Sequence, residues 1–391
     1  MNQFLHSVLL VSASTETTDR IFELCEQCEQ ANIRILIARH APEALSLLEH
    51  TNFSLALLDL ADLEITFMDQ VSAHLNPKPV VALLDDRSEA VTAEALLAVL
   101  RAGADDVFLQ SELQGPYAQS FVDAMKRQLR RALHIEEARL LRESLERSLD
   151  ELRADHHAAQ QVQQNLLPPR EQLINQLRFE YTLTPSLLLS GDFVDAIELN
   201  EHQVMFYLAD VSGHGASSAL VTVLLKNMTY RLLRNYKRHS SFDILSPLST
   251  LSRINQEVLL TGLGKHLTMF VGLIDTQANT LIYAVGGHHP MPVFSTDTQS
   301  QFLEGRGMPV GLFETPVFEE RQVDLPERFR LTLFSDGILE VMGQASLAEK
   351  EARLLASLNQ GFLSSSALIT QLTQKQGVYP DDVAIMTVSR A

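Results

Sequence analysis

Short apolar runs, separated by amphipathic stretches, divide the chain into three unlike parts. In the first 118 residues five such runs occur: Ser7–Val11, Ile33–Ala38, Leu55–Leu58, Pro79–Leu84 and Asp106–Leu109. Stretches with helical spacing lie between them. Strands alternating with helices predict a doubly wound α/β domain, a five-stranded parallel sheet with helices on both faces. Functional groups of such sheets gather at the carboxyl ends of the strands. Asp59 follows Leu55–Leu58 at one such end, and the turn Ala102-Gly103-Ala104-Asp105-Asp106 lies near the fifth strand.

Residues 119–167 predict one long helix. Neither Gly nor Pro occurs from Tyr117 to Leu167, and Pro168-Pro169 stops the segment. Leu145, Leu149, Leu152, Ala159 and Leu166 fall near heptad a/d spacing, with His156 at an a position. Arg142, Glu146, Arg147 and Glu151 flank them. The pattern predicts a parallel coiled coil that makes the chain a homodimer; a single helix packed on the next domain fits the same spacing. Residues 168–391 return to strands: Phe179–Leu183, Val204–Leu208, Thr268–Ile274, Thr280–Ala284, Pro292–Ser295, Arg330–Phe334 and Val383–Ser389. Helical stretches at Ala216–Tyr236, Ile244–Leu260 and Ser346–Lys375 interrupt them. Grouped strands and grouped helices predict an α+β domain built on a β-sandwich.

Composition narrows the function. Apolar residues make up 46% of 391, enough for true cores, and the formal net charge is −18. A chain this acidic is not expected to bind nucleic acid, whose phosphates need Lys and Arg patches. No apolar run reaches the ~18 residues of a membrane helix, and Met1 leads into a strand-like segment with no secretory leader pattern. The expected location is the cytoplasm. The two cysteines, Cys25 and Cys28, lie on an amphipathic helix with no second ligand pair. Two thiols do not complete a zinc site, so they read as ordinary helix residues.

The chemistry lies in the acids of the last part. Val204–Ala209 runs into Asp210, Arg330–Ser335 runs into Asp336, Asp381-Asp382 opens Val383–Val388, and Asp192 sits in Ser190-Gly191-Asp192-Phe193. Carboxylates at the ends of buried strands are costly unless something neutralises them. Hard divalent cations do so through oxygen ligands, and two cations side by side can make water a nucleophile toward a phosphate ester. No Cys-x5-Arg loop and no Gly-x4-Gly-Lys-Ser/Thr loop occurs, which argues against a cysteine phosphatase and against an NTPase.

Six ordered motifs carry a resemblance. Ser190-Gly191-Asp192 stands for Gly-Gly-Asp, with one Gly lost; Asp210-Val211-Ser212-Gly213-His214-Gly215 matches Asp-Val-Ser-Gly-x-Gly. Gly286-Gly287-His288-His289-Pro290, Met308-Pro309-Val310-Gly311, Ser335-Asp336-Gly337-Ile338-Leu339-Glu340 and Asp381-Asp382 follow. Together they resemble the metal-dependent type 2C protein serine/threonine phosphatases in their SpoIIE/RsbU branch, and Gln163-Gln164-Asn165-Leu166-Leu167-Pro168 resembles the linker before that domain.

The resemblance implies a binuclear Mn²⁺ or Mg²⁺ centre. Asp210 would bridge the ions, the Val211 carbonyl would reach one, Asp336 and Asp381 would hold the other, and Asp192 would bind directly or through water. Asp382 would orient its neighbours. From its place beside Asp210, His214 is a candidate to protonate the leaving serine; His288, His289 and metal-bound water are the alternatives. Gly213, Gly215 and Gly337 would allow tight turns beside the ions. The implied substrate is a phosphoserine on a partner protein, an anti-sigma-factor antagonist of STAS fold.

The first 118 residues resemble a two-component receiver with Asp59 at the phospho-acceptor position. Ser12 and Ala13 replace its acidic pair, Leu84 its switch Thr or Ser, Val107 its switch aromatic and Gln110 its Lys. A receiver that does not use ordinary aspartyl phosphorylation is therefore expected; a response regulator driven through Asp59 is the weaker alternative. The domain order also resembles adaptors of the RssB type, which deliver a sigma factor for degradation. Those lack the metal acids that this chain keeps.

Overall fold

The computed structural model describes residues 5–28, 32–61, 63–86, 91–213, 215–343, 345–359, 364–372 and 379–390. His214 lies outside them. Two compact units, 1–149 and 150–391, divide the chain.

In the first unit, strands β1 (Leu5–Val11), β2 (Asn32–Ala38), β3 (Leu55–Asp59), β4 (Val80–Leu84) and β5 (Asp106–Leu109) form one parallel sheet in the order β2-β1-β3-β4-β5. Helices α1 (Thr15–Glu26), α2 (Ala41–His50), α3 (Ile65–Leu75) and α4 (Ala93–Arg101) connect them. The β3 sequence Leu-Ala-Leu-Leu-Asp is buried throughout because both faces of the sheet are covered. One face packs Leu9, Leu58, Met68 and Val71; the other packs Val8, Leu57, Ile21 and Phe121. This five-stranded parallel α/β domain fits a receiver. Cys25 and Cys28 are buried in the second cluster as free thiols, and burial raises both above the usual thiol range, Cys25 to about 12.

A single helix, α5, runs from Ala118 to Leu166. Its start buries Phe121, Val122, Met125 and Leu129 against the first unit. Its middle is solvated and laced with ion pairs at helical spacing, such as Arg142–Glu146 at 2.8 Å. Leu145, Leu149 and Leu152 are exposed there. The heptad spacing does not continue as a free seam to its end. Leu166 packs on the core of the second unit, and Gln163 is buried there.

The second unit is a four-layer β-sandwich. One antiparallel sheet has the order β14-β11-β10-β9-β8 and the other β13-β12-β15-β16-β7-β6. The strands are β6 (Glu171–Ile174), β7 (Leu177–Thr184), β8 (Asp192–Glu198), β9 (Gln203–Val211), β10 (Leu267–Asp275), β11 (Thr280–Gly286), β12 (Val293–Ser295), β13 (Ser300–Phe302), β14 (Glu320–Asp324), β15 (Phe329–Phe334) and β16 (Val383–Arg390). Helices α6 (Ala216–Lys237) and α7 (Pro247–Leu260) cover the first sheet; α8 (Gly337–Val341), α9 (Leu347–Asn359) and α10 (Ser365–Leu372) cover the second. Val194, Leu208, Phe270, Leu331, Leu333 and Met386 fill the space between the sheets.

The expected Ser346–Lys375 helix is two helices, α9 and α10, and residues 373–378 lie outside the described residues. Strand β8 carries no simple apolar run because Asp195 lies inside it. That carboxylate is buried against the Lys226 ammonium of α6 at 2.7 Å, with the Tyr207 hydroxyl at 3.4 Å. Burial pushes the Asp195 carboxyl up and the ammonium partly offsets this. Removing one member of such a pair costs ~3–5 kcal/mol because the other charge stays buried.

Candidate metal centre

The strand register brings the acids together. In β8 and β9, Asp192 lies directly opposite Asp210, and Val194 lies opposite Leu208. Directly opposed residues of an antiparallel pair point to the same side, and side chains alternate along each strand. Val194 and Leu208 fill the space between the sheets, so Asp192 and Asp210 continue the same face to the end of the sandwich. There the apolar filling stops and a cavity of about 340 Å³ opens. Asp210, Ser212, Gly213, His266, Thr268, Asp336, Glu340 and Asp381 are among the residues that line it. The second sheet delivers Asp336 just after β15 and Asp381 just before β16.

Around these acids the backbone is held tightly. Asp382 is buried and uses both carboxylate oxygens: Oδ2 accepts from the Gly191 N–H at 2.6 Å, and Oδ1 from the Ser186 N–H and hydroxyl at 2.7 and 2.9 Å. It thus fixes the loop that enters β8. Ser190, in place of the missing first Gly, accepts the Asp192 N–H on its hydroxyl at 3.1 Å. Its own backbone is held by Gln163 of α5, which donates to the Ser190 carbonyl at 2.7 Å and accepts the Ser190 N–H at 3.2 Å. Gly337 has no room for a side chain, since a Cβ would come within 2.0 Å of the Asp382 carbonyl oxygen. Gly213 turns the chain out of β9 at φ +78°, where L side chains are strained.

The electrostatics are those of crowded like charges. The Asp192 carboxyl is raised well above the carboxylate range by burial first and by Asp210 next. Burial, then Asp336, Asp381 and Asp382, raise Asp210 to about 7. Asp210 and Asp336 are hydrogen-bonded carboxyl to carboxyl. Asp336 is raised by burial and by Asp381, and Glu340 by burial and then by Asp381 and Asp336. Ser335 bonds the Asp192 carboxyl, yet Asp192 Oδ2 is buried with no partner among the described residues.

An orphaned buried carboxylate oxygen beside three more acids fits hard cations with oxygen ligands. Among the described residues, no three His, Cys, Asp or Glu side chains already close around one point. Convergence of like charges costs energy that a cation must offset, so the donor set fits while the cage is open. A larger cavity of about 900 Å³, in the first unit, has no such set. Its Arg139 and Arg142 are paired with Glu136, Glu143 and Glu146.

The histidines separate. His288 is fully buried, its two ring nitrogens have no partner among the described residues, and burial lowers it to about 3, with His289 adding to the shift. His289 stands 3.9 Å from Glu351. Neither lines the acidic cavity. His266 does line it, and it belongs to none of the six motifs. Its one sequence signal was its place at the start of an apolar strand.

With this geometry, the family relation can be read. Residues 200–391 match the model of the family described as stage II sporulation protein E (SpoIIE). Over those residues the chain is similar to SpoIIE-type phosphatase domains. The phosphoserine phosphatase RsbP of Bacillus subtilis is 27% identical over 190 residues, covering 46% of this chain and 44% of that protein. The phosphoserine phosphatase RsbU of the same organism is 23% identical over 201 residues, 51% of this chain and 58% of that one. The chain thus spans about half the length of these relatives. The regulator of RpoS from Escherichia coli is 24% identical over 255 residues, 64% of this chain and 73% of that protein. The solved SiaA-PP2C domain of Pseudomonas aeruginosa shares the fold at 19% identity, with a TM-score of 0.52 over 61% of this chain and 96% of that one.

In the receiver-like domain, Asp59 is 3% exposed at the end of β3. Its Oδ2 accepts from the Ser12 hydroxyl at 2.8 Å, and its Oδ1 from Gln110 Nε2 at 2.8 Å and the Ala61 N–H at 3.3 Å. Every donor is neutral. The two residues that replace the receiver family's acid and lysine are the ones that hold this carboxylate. No helix among the described residues is long and apolar enough to cross a membrane.

Proposed function

We propose that the SpoIIE-type domain is a Mn²⁺- or Mg²⁺-dependent protein phosphatase that hydrolyses phosphoserine on a partner protein. The observation that carries this is the set of aspartates from both sheets at one open end of the sandwich, with Asp192 Oδ2 unpartnered among the described residues and Asp210 raised to about 7 by burial and by its acidic neighbours. Asp210 would be shared between two cations; Asp336 and Asp381 would hold one, and the Val211 carbonyl the other, with Asp192 binding directly or through water. Bound cations supply the Lewis acidity that makes water a nucleophile at neutral pH. The chain does the rest: it places the oxygens, and Asp382 keeps the loop before Asp192 in position rather than acting as a ligand.

The domain limits that follow are 1–118 for the receiver-like domain, 119–167 for the linker and 168–391 for the phosphatase. The substrate class we favour is an anti-sigma-factor antagonist of STAS fold, by family resemblance; a fold does not fix a substrate. Exposed Leu145, Leu149 and Leu152 support pairing of α5 with a second copy. The neutral cage around Asp59 supports control of the enzyme by something other than aspartyl phosphorylation. A cytoplasmic site of action follows from the proposed substrate.

The test is hydrolysis of p-nitrophenyl phosphate with Mn²⁺ by the full chain and by its Asp210→Ala and Asp336→Ala variants. Loss in both variants is expected; full activity in both removes the binuclear centre. A second reading, a sigma-factor adaptor, is favoured by the similarity to the regulator of RpoS over 64% of this chain. A wild-type chain that binds Mn²⁺ but hydrolyses neither this ester nor a phosphoserine peptide would favour it.

A further inference from the structure

The acidic cavity contains a group the motifs did not point to. Ser212 and His266 continue the β9–β10 pairing one step beyond Val211 and Leu267: the Ser212 N–H donates to the His266 carbonyl at 2.9 Å, and the His266 N–H donates to Ser212 Oγ at 3.2 Å. One step further in, Thr268 lies opposite Asp210. Alternation therefore puts His266, Thr268, Asp210 and Ser212 on one face of the sheet. That is the face Leu208 and Phe270 occupy inside the sandwich, and beyond its end it opens into the cavity. Among the described residues lining the cavity, His266 is the one imidazole.

Resting on the phosphatase reading above, we propose that His266 is the catalytic residue that gives a proton to the departing serine oxygen. The step balances. Water oxygen bonds to phosphorus while the phosphorus–serine oxygen bond breaks, and its electron pair stays on the serine oxygen. That oxygen takes an N–H proton from the protonated His266 ring, which is left as neutral imidazole. The attacking water loses a proton to solvent, and His266 regains one from solvent. The products are a serine hydroxyl and inorganic phosphate. An alkoxide is a poor leaving group, so this donor matters for serine esters. p-Nitrophenolate leaves without a proton, so for its ester the donor matters little.

The strand contacts of His266 come from its backbone, which His266→Ala preserves. The experiment compares kcat of wild type, His266→Ala, Glu340→Gln and His214→Ala on a phosphoserine peptide and on p-nitrophenyl phosphate, with Mn²⁺ binding followed by calorimetry. His266→Ala is expected to lose ~10²-fold on the peptide, the lower end of the usual effect of a proton donor. Its rate on p-nitrophenyl phosphate should stay near wild type, and its Mn²⁺ binding should be unchanged. Equal losses on both substrates, no loss on either, or lost Mn²⁺ binding would overturn the assignment. So would the substrate-dependent loss appearing in Glu340→Gln or His214→Ala instead. A wild type inert toward both substrates removes the phosphatase reading and this inference together, whereas equal losses in an active enzyme remove the inference alone.

Discussion

Asp59 and Asp210 both stand at the carboxyl end of a buried strand, and their surroundings give them opposite roles. Asp59 is met by a hydroxyl, an amide and a backbone N–H, all neutral donors, and both its oxygens are engaged. Asp210 is met by other carboxyls, and its neighbour Asp192 keeps an oxygen with no partner among the described residues. A buried carboxylate supplied with donors is a structural hydrogen-bond hub. One crowded by like charges is raised toward its neutral form, and on the function proposed above a cation would offset that crowding. Residue type and strand position do not separate the two cases; the partners do.

The largest effect should come from breaking the like-charged set. Asp336→Ala is expected to lower phosphatase kcat/KM by about 10³-fold, as loss of several kcal/mol of metal-assisted stabilisation implies. Steady-state kinetics with Mn²⁺ measures it. Asp59→Ala should leave that rate near wild type.

Next comes the acid cluster's effect on stability. Asp192, Asp210 and Asp336 are raised in the folded chain above the ordinary carboxyl value. The folded protein therefore holds more protons than the unfolded chain in this window. The metal-free protein should be most stable, with respect to these groups, below the ordinary carboxyl value of about 4. It should lose that contribution as pH rises through about 7, where Asp210 ionises. Urea unfolding of the second unit against pH reads the slope; a rise in stability from these groups over that window would contradict the crowded-acid picture. At neutral pH, Mn²⁺ at a hundred times its dissociation constant should stabilise the chain by ~2.7 kcal/mol, and Asp210→Ala should remove most of that gain.

The smallest effects should fall on the donor-rich side. Asp59→Ala leaves the buried Ser12 and Gln110 side chains without their acceptor and should cost ~1–3 kcal/mol in urea unfolding. Asp59→Asn keeps an acceptor for Gln110, and its loss should stay below ~1 kcal/mol. Acetyl phosphate should not label wild-type protein at Asp59; stable labelling that vanishes in Asp59→Ala would make the two carboxylates more alike than their surroundings suggest.

Much of this was legible locally. The alternation of apolar runs and helical stretches in the first 118 residues marks the parallel sheet, and the long Gly- and Pro-free stretch marks α5. Asp210, Asp336 and Asp381 could be named because each adjoins a clear apolar run. Strand β8 was not legible, because Asp195 interrupts its pattern and the partner that makes it tolerable, Lys226, comes from a helix 31 residues on.

The sequence by itself determined the order of the elements, the acids at the strand ends and the substitutions around Asp59, since these depend on neighbours along the chain. Only the tertiary structure decided that Asp192 faces Asp210, that Gln163 grips the Ser190 backbone, that Ser12 and Gln110 occupy the oxygens of Asp59, and that His266 shares a cavity with the aspartates. Those are matters of register between segments far apart in the chain. A shift of one residue in a strand pair reverses every side chain to the other face, and no local pattern records which register the packing selects.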